Sequence, residues 1–500
     1  MRTQLNLTKV VATIGPASEN MPVLPKVVEA GMRIMRLNFS HATYDEANLR
    51  VANLRKSPGL TSKSFNLRNV MLDTQGPEIR TGSFGKDGSI DLVEGAKISL
   101  TTDDAFRTAQ TANKIWISYK GLFDAVKEKN LVLIEDGNIQ LVVDSKDKAA
   151  GLVHCTALNS GSLGSRKGVN LPGARIGLPA MDEKDRKDIR WGIQNDIDCI
   201  AVSFVRKPQD LIDIRQYCAQ LLKEFKFPAE HPGPMLIAKI ESTEGMENFD
   251  AILEEADGIM VARGDLGVEI PIWELANAQK DIVRKSNLAG KPVVVATQML
   301  ESMIKNPRPT RAECTDVANA VFDGADCVML SGESAKGKYP VGSVSMMNKI
   351  ITEAEKRGMD NDVSHTPAPA FDNARDNFAL GVAEASDALN ASCIIVLSKS
   401  GATAKALSKF RPNVPIVTFV PNQKQGRMLQ LYRGIHPILA EDATLQSRIL
   451  SSDPSRYSIA VNYAASVGFC QSGDKVIVVA GEKEDKIISS SFSMHVATVN

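Results

Sequence analysis

The chain has no uninterrupted apolar run near the roughly 20 residues that a helix needs to cross a bilayer, although 43% of its 500 residues are hydrophobic. No membrane contact is expected. It has no excess of either charge: 59 Lys and Arg balance 59 Asp and Glu, so no global field draws it toward nucleic acid. It has no CxxC pair, and its seven cysteines, at 155, 199, 218, 314, 327, 393 and 470, are odd in number and scattered. That spacing argues against a disulfide framework and against a zinc site. Cys199, Cys327 and Cys393 fall within apolar runs, where a thiol behaves as a small hydrophobe. The first residues also lack the apolar core of a signal peptide and the Arg- and Ser-rich composition of a transit segment. The expected compartment is the cytoplasm, and the expected partners are small molecules or further copies of the chain.

What is present is a long alternation of short apolar runs with amphipathic stretches. A chain of this length corresponds to roughly three domain-sized units. Eight runs have the length and composition of buried parallel strands: 9–14, 32–41, 69–73, 199–204, 235–240, 258–262, 292–297 and 327–330. Helical spacing fits between them, near 23–30, 44–55, 209–224, 244–256, 273–288 and 311–322. From 82 to 175 that spacing gives way to short alternating runs separated by turn signals such as Asp87-Gly88 and Asp136-Gly137. A polar, proline-bearing segment at 358–369 reads as a linker, and beyond it a helix at 374–389 and strands near 393–397, 415–420, 435–439, 475–480 and 494–499 form another alternating unit. The pattern predicts an α/β protein: a (β/α)8 TIM barrel from 1–76 and 177–355, an inserted small β-barrel lid domain at 77–176, and a C-terminal αβα sandwich domain at 356–500.

In such a barrel the active site lies at the carboxyl ends of the strands, and there the polar residues gather. Lys239 and Glu241 close the fifth run, and Arg263 and Asp265 the sixth. Residues two apart on a strand share a face, so Lys239 and Glu241 can act together. A lysine beside carboxylates suits a divalent cation and an anionic substrate; structural ion pairs would use the same residue types. Arg36, Asn38, Ser40 and His41 line the tip of the second run, Asp73-Thr74 the third, Thr297-Gln298 the seventh and Ser331-Gly332-Glu333 the eighth. Convergence of so many polar tips favours a site over isolated ion pairs. In the C-terminal unit, the loop Ser398-Lys399-Ser400-Gly401-Ala402-Thr403 lies between a strand and a helix start. It suits an anion, and a capped helix start calls for the same residues.

Several of these stretches, in order, resemble the pyruvate kinase family: the run 32–41, Leu72-Asp-Thr-Gln-Gly-Pro-Glu-Ile-Arg-Thr-Gly82, Lys167-Gly-Val-Asn-Leu-Pro172, Lys239-Ile-Glu241, Met260-Val-Ala-Arg-Gly-Asp-Leu-Gly267, Ala296-Thr-Gln-Met-Leu-Glu-Ser-Met303, Asn306-Pro-Arg-Pro-Thr-Arg-Ala-Glu313 and Met329-Leu-Ser-Gly-Glu333. The resemblance implies transfer of the phosphoryl group of phosphoenolpyruvate to ADP, giving ATP and pyruvate. It implies Mg²⁺ or Mn²⁺ on Glu241 and Asp265, and K⁺ on Asn38, Ser40, Asp73 and Thr74, with Glu78 as the acidic residue that accompanies the K⁺ requirement. Lys239 and Arg36 would hold the phosphoryl group. Gly264, Asp265 and Thr297 would hold the substrate carboxylate. Asn38, His41, Arg80 and Lys167 would meet the nucleotide, and Thr297, Ser331 and Glu333 would relay a proton to the enolate. A homotetramer and an anionic allosteric effector at Ser398, Lys399, Ser400, Gly401 and Thr403 are further implications. The chain departs from the family at Gln75, where lysine is usual, at Ala42 after His41, and at Ser242-Thr243 after the Lys-Ile-Glu motif. The charged, serine-rich run 481–491 replaces a glycine-rich effector loop. A metal-dependent lyase acting on pyruvate enolate would also use a barrel with acidic ligands, but would form no ATP.

Overall fold

A computed structural model describes residues 5–59, 63–85, 88–357, 374–482 and 491–500. The linker at 358–369 and most of the run 481–491 lie outside the described residues. Eight parallel strands close into a barrel: Lys9–Thr13, Met32–Asn38, Asn69–Asp73, Cys199–Val202, Met235–Ile240, Gly258–Ala262, Val293–Ala296 and Cys327–Leu330. Each pairs with its chain neighbours, and the eighth closes on the first through Lys9 opposite Cys327. Buried on both faces, these strands carry near-continuous apolar sequence. Alternate residues point out to the helices, as Leu236, Ala238, Ile259 and Val261 do. The residues between them, such as Val11, Ile34, Met71, Ala201, Met235, Ile237 and Met260, fill the interior.

The helices start where local chemistry says they should. Thr43 with Glu46, Asp182 with Asp185 and Thr310 with Glu313 each form a capping box. The expected helix near 244–256 is two short ones, Thr243–Glu247 and Phe249–Glu255, divided at Asn248.

Between the third and fourth barrel strands the chain builds a six-stranded sheet and a two-stranded one around a single apolar core that includes Ile98, Leu100, Ile134, Leu141, Val153 and Leu163. All but one of the pairings within these two sheets are antiparallel. This accounts for the period-two pattern read from 82 to 175. The C-terminal sheet runs Ile435–Ile438, Ile416–Phe419, Cys393–Leu397, Lys475–Glu482, Ser491–Thr498, with the last strand antiparallel. One face of it joins the apolar cluster at the foot of the barrel, where Ile394 and Val396 share a cluster with the interior residues of the barrel. Buried ion pairs stitch the same junction: Arg411 to Asp326 at 2.7 Å, and Arg427 to Asp198 at 2.8 Å. The open mouth of the barrel therefore lies at the other end, toward the insert.

Candidate active site

The inward register of the barrel strands changes character toward their carboxyl ends. In the fifth strand Met235 and Ile237 point inward and are apolar; the next inward positions are Lys239 and Glu241. The same step turns Ile34 into Arg36 and Met71 into Asp73. These tips form one bonded cluster. Lys239 Nζ donates to Asp73 Oδ1 at 3.0 Å and to Ser203 Oγ at 2.7 Å, and lies 3.0 Å from Glu241 Oε1. Arg36 Nε donates to Asp73 Oδ2 at 2.6 Å and its Nη1 to Thr13 Oγ1 at 2.9 Å. Thr13 and Ser203 escaped the sequence reading. Both continue the inward register, of Val11 and Ala201, and that periodicity is the signal that finds them.

The electrostatics follow from burial. Withdrawal from water works against the Lys239 ammonium, but Asp73 and then Glu241 outweigh it and hold its pKa above the ordinary lysine value. Burial likewise opposes the Asp73 carboxylate, yet Arg36 and Lys239 keep it below the usual range. Glu241 behaves oppositely: it is 1% exposed, and burial, reinforced by Asp265, pushes it up despite Lys239. Burial also pushes up Asp265, which lies near Glu241 and acts on it as a like charge. Two carboxyl groups pressed together in this way repel as anions, and a hard divalent cation relieves that repulsion with oxygen ligands. Among the described residues there is no group of three or more His, Cys, Asp or Glu suited to a metal. Any cation here would therefore need further oxygens from substrate or water.

Asp265 is not on a strand tip as expected. The sixth strand ends at Ala262, and Arg263–Glu269 is a short helix. The amides of Gly264 and Asp265 thus belong to a first turn, whose N–H groups have no helical acceptor. Gly264 is needed: a Cβ there would lie 2.8 Å from Thr297 Cγ2. Thr297 and Gln298 both have positive φ, 77° and 57°, an unusual conformation for side chains of this size. Arg263 braces this corner through a two-pronged pair with Asp316, both contacts at 2.7 Å, and a bond to the Thr297 carbonyl at 2.7 Å. Glu333 is fully buried, and burial raises its pKa. Its carboxylate accepts from Leu300 N at 3.1 Å and Ser331 N at 2.7 Å, tying the loops after the seventh and eighth strands together.

Glu78 and Arg80, which form an ion pair, share with Glu241 and Asp265 the wall of a cavity of about 190 Å³ between the insert and the barrel. Lys167 pairs with Glu135 in the insert, and His41 is exposed in the turn after the second strand; neither lines that cavity. Asn38 Oδ1 accepts from Ser40 N at 3.1 Å, and Thr74 Oγ1 accepts from Ser203 N at 3.1 Å. In the C-terminal unit Gly401, at φ 77°, starts the helix Ala402–Lys409, and its N–H is taken by Ser398 Oγ at 2.8 Å. Lys399 and Ser400 are exposed, and Thr403 is buried.

A closed parallel barrel with a lysine, an arginine and carboxylates ringed at its mouth defines a TIM-barrel enzyme built for an anionic substrate. The chain belongs to the pyruvate kinase family. The family models described as "Pyruvate kinase, barrel domain" and "Pyruvate kinase, alpha/beta domain" match residues 5–344 and 376–492. It is 42% identical to a pyruvate kinase of Clostridium acetobutylicum, over 95% of this chain and 96% of the relative. It is also 42% identical to a pyruvate kinase of Dictyostelium discoideum, over 98% and 94%, and 41% identical to the cytosolic isozyme of Nicotiana tabacum, over 94% and 93%. The chain is an enzyme that transfers the phosphoryl group of phosphoenolpyruvate to ADP, giving ATP and pyruvate.

Proposed function

We propose that this transfer is carried out at the mouth of the barrel by Lys239, Arg36, Glu241, Asp265 and Thr297, beneath an insert that acts as a lid. The observation that carries the assignment is the Lys239 ammonium, buried and held charged among Asp73, Glu241 and Ser203. Phosphoryl transfer asks a protein for positioning and for fixed charge where charge develops, rather than for covalent chemistry. Lys239 offers such a charge to the moving phosphoryl group and to the enolate oxygen left behind. Arg36, braced by Asp73 and Thr13, keeps further N–H donors for phosphoryl oxygens. The amides of Gly264 and Asp265 and the Thr297 hydroxyl would hold the substrate carboxylate and so fix the reacting end.

Mg²⁺ or Mn²⁺ on Glu241 and Asp265, and K⁺ on Asn38, Ser40, Asp73 and Thr74, would be the cofactors; bound, they neutralise phosphoryl and enolate charge as Lewis acids. The repelling carboxyl pair fits the first and an all-oxygen donor set fits the second. Glu78 is the residue we associate with the K⁺ requirement. Arg80, Lys167, His41 and Asn38 would meet the nucleotide, and lid closure would bring Lys167 in while excluding water. Thr297 and Ser331, with Glu333 holding their loops, would deliver the proton to the enolate carbon.

We assign 1–76 with 177–355 to the barrel, 77–176 to the lid and 356–500 to a regulatory unit. In that unit an anionic effector would engage Ser398, Lys399, Ser400, Gly401 and Thr403. A homotetramer in the cytoplasm is the expected form; the described residues contain no helix long and apolar enough to cross a membrane.

The test is ATP formation from phosphoenolpyruvate and ADP with Mg²⁺, in K⁺ and in tetramethylammonium, beside direct Mn²⁺ binding by Glu241→Gln. Turnover that depends on K⁺, and Mn²⁺ affinity lost in the variant, are expected. Full rate and full affinity in Glu241→Gln would overturn the metal assignment.

A further inference from the structure

Two chain crossings join the insert to the barrel: the outgoing one after Asp73 and the returning one that leads to the helix Glu183–Gln194. The loop that follows the fourth barrel strand touches both. Ser203 holds the outgoing crossing, its Oγ donating to the Thr74 carbonyl at 2.7 Å while its N–H donates to Thr74 Oγ1 at 3.1 Å. Arg206 holds the returning one: Nη1 donates to the Ile176 carbonyl at 2.5 Å and Nη2 to the Leu178 carbonyl at 2.6 Å. Between them Phe204, at φ 55°, turns its N–H onto Glu241 Oε2 at 2.5 Å. A single four-residue loop therefore bonds both arms of the insert and a carboxylate of the catalytic cluster.

Two features show that the loop is built for this closeness. Gly76, at φ 73°, lies so near that a Cβ would meet Ser203 Cβ at 2.8 Å and Phe204 Cδ2 at 2.9 Å. Its N–H is anchored to Asp185 Oδ1 at 3.0 Å, at the start of the returning helix. Arg206 itself is buried and fixed at its own backbone, its N–H donating to Asp210 Oδ2 at 3.0 Å and its carbonyl accepting from Asn248 Nδ2 at 2.8 Å. A planar fork is required to reach two carbonyls two residues apart at once, and a lysine ammonium is a point charge that does not reproduce it.

We propose that the loop 203–206 is the bracket of the lid hinge, and that Arg206 is a positioning residue that links the pose of the insert to the placement of Glu241. This rests on reading the insert as a lid. When the returning arm shifts, the Arg206 fork moves with it, and the pull reaches Glu241 through the Phe204 amide two residues away. The lid pose and the catalytic carboxylate are thereby set together.

The test compares full-length wild type, Arg206→Lys and Arg206→Met by amide hydrogen exchange across 174–182 and by product partition. When the lid no longer excludes water, phosphoenolpyruvate and water give pyruvate and inorganic phosphate, so the ratio of phosphate to ATP reports lid closure independently of the fraction of active enzyme. Loss of the two charge-assisted bonds is expected to speed exchange across 174–182 roughly tenfold and to raise both the phosphate-to-ATP ratio and the KM for ADP severalfold. Arg206→Lys, which keeps the charge and most of the bulk, carries the test should Arg206→Met fail to fold. Exchange at the wild-type rate overturns the bracket, and faster exchange with an unchanged ratio and unchanged KM overturns the positioning role. A wild-type protein that forms no ATP would instead overturn the catalytic reading, while the exchange comparison still tests the bracket.

Discussion

At the scale of single residues, the site is governed by a contrast between two kinds of buried charge. Asp73 and Lys239 are buried as partners, so each keeps its charge. Glu241, buried, and Asp265, half-buried, sit together as rivals, and both are pushed up. A cation that binds this pair must displace a proton, so its affinity falls as pH falls through their raised pKa values. Titration of Mn²⁺ into the protein at pH 8 and at pH 6 is expected to give the tighter binding at pH 8; equal affinities would contradict binding at a carboxyl pair with raised pKa values. Thr297 shows a different tension. Its φ of 77° carries a strain of roughly 1–3 kcal/mol for a β-branched residue, against a glycine entropy cost of roughly 0.5–1 kcal/mol. Thr297→Gly is expected to leave the denaturation midpoint unchanged or higher while raising the KM for phosphoenolpyruvate. Most of these residues were legible in the sequence because charge at the end of an apolar run is conspicuous. Thr13 and Ser203 were not, since a single hydroxyl after an apolar run looks like an ordinary strand end until the register is known.

At the scale of elements, strand length and spacing carried the prediction. The runs 69–73, 235–240, 258–262 and 327–330 coincide with the strands found, because both faces of a parallel strand are buried and its apolar run ends where burial ends. Besides the helix near 244–256, which is divided at Asn248, the element misread was the one after the sixth strand. Arg263 and Asp265 look like strand-end charges, whereas the chain turns at once into a helix with no side-chain cap on its first turn. Nothing in composition separates those cases; the approach of Gly264 to Thr297 does. The hinge supplies a prediction at this scale. Asp185 completes the Asp182 capping box of the returning helix, its carboxylate accepting from Asp182 N and from Gly76 N, and burial, against the Gly76 bond, raises its pKa from the ordinary 3.8 to about 6. The folded state then holds this proton more tightly than the unfolded chain, so the group's contribution to stability is lost as pH rises from about 4 to about 6. Urea unfolding of Asp185→Asn beside wild type is expected to shift in the variant's favour between pH 4 and pH 7, by on the order of 2 kcal/mol. No shift between the two pH values would contradict it.

At the scale of the molecule, the barrel is plugged at one end and open at the other. The C-terminal unit fills the foot through an apolar cluster and through buried pairs that no exposed contact could replace. Asp326 alone accepts from Arg411 twice and from the amides of Arg433 and Val293. Removing one partner strands a buried charge, so Arg411→Met is expected to cost roughly 3–5 kcal/mol, read as a lower thermal midpoint. A midpoint within a degree or two of wild type would show that the junction does not depend on this pair. This arrangement was invisible in the sequence, because Arg411 and Asp326 are far apart in the chain and each looks like a surface charge.

The central claim is that Lys239 supplies the fixed charge on which phosphoryl transfer depends. Its most direct test is the rate of ATP formation from phosphoenolpyruvate and ADP by Lys239→Met, measured with saturating Mg²⁺ and K⁺ beside wild type. Removing a preorganised charge of this kind costs roughly 10²–10³ in kcat, and a fall of that size in a folded variant is the predicted result. A rate within twofold of wild type would contradict it.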